Sequence, residues 1–134
     1  MAVHHLGVVV ALVALGSCSL FTEACGCSPP NHLARAIGTV TFASGEPAAG
    51  ATVGAAVWRP PCESVPSNPF PHGETTTDAQ GVYRLEFSTL SEGLQCARIA
   101  ARLGAAEVGR VVTVEGRVQG TRPLDSVRVN LTLP

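Results

Sequence analysis

Residues 38–57 read Gly38-Thr39-Val40-Thr41-Phe42-Ala43-Ser44-Gly45-Glu46-Pro47-Ala48-Ala49-Gly50-Ala51-Thr52-Val53-Gly54-Ala55-Ala56-Val57. Two runs of period-two alternation flank a cluster of Gly, Pro and Ser, which predicts two β-strands joined by a short tight connection. In the first, Val40 and Phe42 share one face and Thr39 and Thr41 the other, as in a half-buried antiparallel strand. The second, near 51–58, points Val53, Ala55 and Val57 inward, and parity places Trp58 outward or at the strand end.

Outward from this stretch the pattern repeats. Residues 59–77 carry Pro60, Pro61, Pro66, Pro69 and Pro71, so they cannot form a central strand and read as the longest irregular segment. Long loops on compact scaffolds are where binding resides. Asp78-Ala79-Gln80-Gly81 closes the loop as a turn, its Asp suited to bonding nearby amides and its Gly to positive φ. Tyr83, Leu85 and Phe87 then alternate with Arg84 and Glu86, and Ala97, Ile99, Ala101 and Leu103 alternate with Arg98 and Arg102. Val108, Val112 and Val114 predict a strand after Gly104. Val127, Val129, Leu131 and Leu133 predict a last one. Short strands at regular spacing without a helical period argue an all-β sandwich.

The 134 residues hold a net charge of −1, with nine Arg and no Lys. A nearly neutral domain offers no electrostatic reason to expect nucleic acid as a partner. The start has the form of a secretory signal: Leu6–Leu15 is an apolar run long enough for its core and too short for a bilayer, which needs roughly 20 residues. It ends in Leu15-Gly16-Ser17-Cys18, which resembles the bacterial lipobox and implies a lipid-modified Cys18. The segment MAVHH lacks Lys and Arg, a departure from that pattern. Cleavage after Ala24 by an ordinary signal peptidase is the alternative, and a retained anchor the third. The expected organisation is a signal peptide over 1–17, a tether over 18–34 and one domain over 35–134.

Setting Cys18 aside leaves four cysteines, Cys25, Cys27, Cys62 and Cys96. In an oxidising compartment these suggest two disulfides, with the connectivity open. A Cys25–Cys27 bridge would close a very small, strained ring, so each of that pair is expected to reach Cys62 or Cys96 and staple the tether to the domain. A metal site built on Cys25, Cys27 and His32 fits no compact zinc spacing, and neither metal nor cofactor is expected.

Gly38-Thr39-Val40, Ser44-Gly45-Glu46-Pro47, Gly50-Ala51-Thr52-Val53 and Thr77-Asp78-Ala79-Gln80-Gly81-Val82-Tyr83-Arg84-Leu85 together resemble carboxypeptidase regulatory-like domains, within the wider transthyretin-like and CnaB-like sandwiches. The resemblance spans roughly 35–134 and implies a seven-stranded antiparallel Greek-key β-sandwich of the transthyretin (prealbumin) type. It implies an accessory, adhesive, carbohydrate-binding or structural role, since one fold hosts many functions. The enzymes of the group are poorly matched. Isopeptide formation needs a Lys, which is lacking; the hydroxyisourate hydrolase branch ends in Tyr-Arg-Gly-Ser, whereas this sequence ends Asn130-Leu131-Thr132-Leu133-Pro134. Intradiol dioxygenases hold iron with two Tyr and two His, and Tyr83 is the one Tyr here.

Outside the signal, His32 and His72 lie in Pro-rich segments with no nucleophile at informative spacing, and Glu63 and Glu74 have nothing to bring them together. The sequence therefore points to a non-enzymatic module of the bacterial envelope, tethered through Cys18 and engaging an envelope protein or glycan. The alternative is a carbohydrate- or peptide-binding domain using the 59–77 loop, with Trp58, Phe70 and His72 as an aromatic platform. A transthyretin-like hydrolase ranks below both. In the rival structural role, Trp58 plugs the sandwich end and Phe70 tucks the loop down. The corresponding locations are lipid-anchored in the envelope, or periplasmic or secreted if Cys18 is not lipidated.

Overall fold

The structure, a computed structural model, describes residues 31–67, 69, 71–120, 123–124 and 126–134. It is all-β: β1 (His32–Phe42), β2 (Thr52–Trp58), β3 (Pro71–Thr76), β4 (Val82–Ser88), β5 (Gly93–Leu103), β6 (Ala106–Val118), β7 (Ser126–Arg128) and β8 (Leu131–Leu133). Hydrogen-bonded neighbours run β3-β2-β5-β6-β1-β4 in one largely antiparallel sheet.

β1 is the strand on which the sheet turns. One edge pairs with β4 from Leu33 to Thr39, while the other is shared in series. β6 takes His32 and Leu33, β7 takes Arg35–Ile37, and β8 takes Val40–Phe42, the last two in parallel. Close approach makes this possible at Gly38. A Cβ there would fall on the Val129 carbonyl oxygen, where the chain passes between β7 and β8. At the same crossing Asn130 Oδ1 accepts a 3.1 Å hydrogen bond from the Thr39 amide, supplying an acceptor where the ladder is interrupted. The predicted closing strand over 127–133 is thus two short strands split at Val129 and Asn130.

The free ends of the sheet, β3 and β4, also meet. A Cβ on Gly73 would lie 2.8 Å from Phe87 Cβ and 3.0 Å from the Glu86 carbonyl, so glycine lets the two strands abut and the sheet is nearly closed. Inside lie Ala34, Ala36 and Val40 of β1; Val53, Ala55 and Val57 of β2; Tyr83, Leu85 and Phe87 of β4; and Ala97, Ile99 and Ala101 of β5. Leu131 and Leu133 complete this core. Apart from Ala34 and Ala36, which no alternation had placed, these are the inward faces that alternation predicts.

The connections hold one confirmation and two corrections. The runs within 38–57 belong to β1 and β2, joined as predicted by a short connection, and the two strands take different neighbours. β1 pairs with β4, β6, β7 and β8, and β2 with β3 and β5. The linking segment crosses the end of the core, where Thr77 Oγ1 donates to Ala48 O (2.6 Å) and accepts from Ala51 N (2.8 Å). Second, the stretch read as irregular contains β3, which starts at Pro71 and, among the described residues, pairs with β2 alone. An edge strand tolerates proline because its outer N–H has no ladder partner to lose. With the closing strand split in two, the described residues hold eight strands where seven were expected. Third, β1 begins at His32, inside the segment read as tether, and Asn31 O accepts from Gln119 N at 2.9 Å.

Candidate functional site

Cys62 and Cys96 are bonded to each other, 34 residues apart. This differs from the expectation that each would reach Cys25 or Cys27, and the reason is register. Trp58 lies directly across from Cys96 at the end of β2, and the chain needs only the short turn through Pro60 and Pro61 to bring Cys62 back onto the strand it has just left. Cys18, Cys25 and Cys27 lie outside the described residues, as does Phe70.

The aromatic platform is not formed at Trp58. Trp58 is the last residue of β2, on the outward face that parity gives it, yet it is 5% exposed, so it is buried there beside the inward Val57. Trp58 lies directly across from Cys96 on the same face, next to the Cys62–Cys96 bond. Its Nε1 has no hydrogen-bond partner among the described residues. His72 lies in β3, half-buried, and burial lowers its pKa. Glu63 and Glu74 are exposed. No cluster of three or more His, Cys, Asp or Glu that could hold a metal ion occurs among the described residues. The Tyr83 hydroxyl is buried and engaged with Val129 O at 2.6 Å. Among the described residues no helix is long and apolar enough to cross a membrane.

The outer face of β3, β2, β5 and β6 holds a trough of about 160 Å³. The ladder defines it. Glu74, Gly54, Ala100 and Gly109 form one row across four strands. On either side of that row lie Ala56 opposite Arg98 and Thr52 opposite Arg102. Small side chains therefore make the floor, and arginines four residues apart on β5 stand beside it.

Arg98 is held flat. Its guanidinium lies over Gly109, where a Cβ would come within 2.5 Å of Cζ, and Nη1 reaches Glu107 Oε1 at 3.4 Å. Arg102, across from Glu107 in the ladder, makes no ion pair among the described residues. On the opposite outer face the charges are used internally: Arg35 donates to Glu86 at 2.7 Å and Arg84 approaches it at 3.5 Å. The Arg35 hydrogen bond holds the Glu86 carboxyl below its ordinary pKa. Sequence reasoning placed Arg98 and Arg102 on the outward face of their strand but had no means of setting Gly54, Gly109 and Glu74 beside them.

Comparison with known proteins shows likenesses of shape alone. No family model matches, and no curated protein matches. Among solved structures, chlorocatechol 1,2-dioxygenase from Pseudomonas putida is 14% identical, with a TM-score of 0.47 over 80% of this chain and 62% of that one. Catechol 1,2-dioxygenase from Acinetobacter sp. ADP1 is 13% identical, with a TM-score of 0.48 over 81% and 54%. A 9R-lipoxygenase from Cyanothece PCC8801 is 15% identical, with a TM-score of 0.45 over 87% and 20%. The chain spans less than two thirds of each of these proteins, and similarity at this level carries no argument about chemistry.

Proposed function

We propose that this chain is an exported, non-enzymatic β-sandwich module of the carboxypeptidase regulatory-like type, held at the bacterial envelope by a lipid on Cys18 and acting through contacts with a partner. The observation that carries export is the Cys62–Cys96 disulfide, because such bonds persist in oxidising compartments and are rare where thiols are kept reduced. The apolar run ending in Leu15-Gly16-Ser17-Cys18 supplies the route and the point of attachment. Buried acyl chains contribute ~0.8 kcal/mol per CH₂, so a diacylated cysteine holds a domain firmly on a bilayer. Attachment there would keep the sandwich at high local concentration beside its partner.

The test is membrane fractionation and fatty-acid labelling of wild type against Cys18→Ser. Labelled, membrane-bound wild type and an unlabelled, soluble variant are expected. Unlabelled soluble wild type rejects the tether. A second reading, a freely secreted ligand binder, is favoured by the trough on the outer face of β2 and β5.

A further inference from the structure

We infer that the trough lined by Glu74, Gly54, Ala100, Arg98 and Arg102 is a binding site for one carboxylate-bearing group, about the size of a single sugar ring or amino-acid residue. Three observations carry this. The space is about 160 Å³, below the ~300 Å³ at which sites for whole drug-sized ligands begin, so it takes one unit and not a long chain. Its floor at Gly54 and Ala100 is nearly free of side-chain bulk, so a ring or short backbone can lie against the sheet. Its charge is laid out for recognition. Arg98 is pinned on Gly109 with one N–H directed at Glu107, leaving the rest of its planar donor fork available, and Arg102 has no ion-pair partner among the described residues.

Guanidinium forks match carboxylates in geometry, and a fork already immobilised loses less entropy on binding. Glu74, at the other end of the row, is placed to accept hydrogen bonds from a hydroxyl or ammonium on the same ligand. The ligand chemistry is thus an acid with a donor on its far side, which both uronic sugars and acidic amino acids possess. This adds a ligand to the binding-module reading and does not depend on the lipid tether.

The test is an amide NMR titration of the full mature protein with two matched pairs: D-galacturonate against D-galactose, and L-glutamate against L-glutamine. At least one acid is expected to give saturable shifts centred on Gly54, Ala100 and Gly109, with Kd in the millimolar range normal for a single charge-assisted contact in an open site. Its neutral partner should bind at least about tenfold more weakly. The acid that binds more tightly identifies the source. Gly109→Ala should leave thermal stability unchanged while displacing the Arg98 guanidinium, and should weaken binding several-fold. Arg102→Ala should weaken it too, and Arg84→Ala, on the opposite face, should not. Acid and neutral members binding alike, neither acid binding, or unchanged affinity in both trough variants would each overturn the inference. So would concentration-dependent shifts of the same amides without ligand, which would show copies packing face to face. Loss of lipidation in Cys18→Ser leaves these shifts unaltered, so the two proposals fail separately.

Discussion

The Tyr83 hydroxyl donates a 2.6 Å hydrogen bond to the Val129 carbonyl, tying β4 to the point where the chain leaves β7 and enters β8. That carbonyl also sits against Gly38, so a single oxygen marks where three segments meet.

Removing the hydroxyl tests this junction. Tyr83→Phe should cost ~1–2 kcal/mol, because it deletes a buried hydrogen bond and leaves a buried carbonyl with one partner fewer. Chemical denaturation with an unchanged m-value would report it. No loss would mean that the bond is not formed in solution.

The same residue predicts the alkaline limit of the fold. Burial raises the Tyr83 pKa from 10.0 to about 12, so between these values the unfolded chain releases a proton that the folded chain retains. The associated stability is present in full below pH 10 and is lost as pH rises toward 12. As the single tyrosine, its phenolate absorbance can be followed directly. Titration near pH 10 in the folded protein would contradict the burial.

Glycine at 38 is required by space and not by backbone dihedral. Gly38→Ala should be destabilising by ~1–3 kcal/mol, since the displaced atom belongs to backbone that cannot step aside cheaply. Gly54→Ala, whose Cβ would meet Gly73 O at an ordinary 3.5 Å, should be nearly neutral. Equal costs would show that the β7–β8 crossing lies elsewhere.

The inward face of β4 gives a paired test. Leu85 is 1% exposed, and Leu85→Ala should cost ~2–5 kcal/mol. The Arg84 side chain is 64% exposed, and Arg84→Ala should cost little. Thermal melts of the two variants decide the register.

Peptide mapping without reduction should recover Cys62 linked to Cys96, and its reduction should lower stability by ~2–4 kcal/mol. Because the buried Trp58 lies opposite Cys96, tryptophan fluorescence should change in the same step. A Cys62 peptide joined to Cys25 or Cys27 would restore the stapled-tether arrangement.

Alternation along the chain was enough to assign the inward residues Val53, Ala55 and Val57, then Tyr83, Leu85 and Phe87, then Ala97, Ile99 and Ala101. In a strand the covalent geometry itself sends successive side chains to opposite faces. The Asp78 turn was legible for an equally local reason. Asp78 Oδ1 accepts from Gln80 N and Val82 N at 2.9 Å, and Gly81 holds φ 73°, all within five residues. Period two says which face a side chain takes, not which strand lies beside it. The split of β1's edge among β6, β7 and β8, the edge pairing of β3, the burial of Trp58 and the closure of Cys62 on Cys96 each depend on a neighbour distant in sequence. The row Glu74, Gly54, Ala100 and Gly109 exists because four strands settled into one register around a shared core, and only the tertiary structure decides that register.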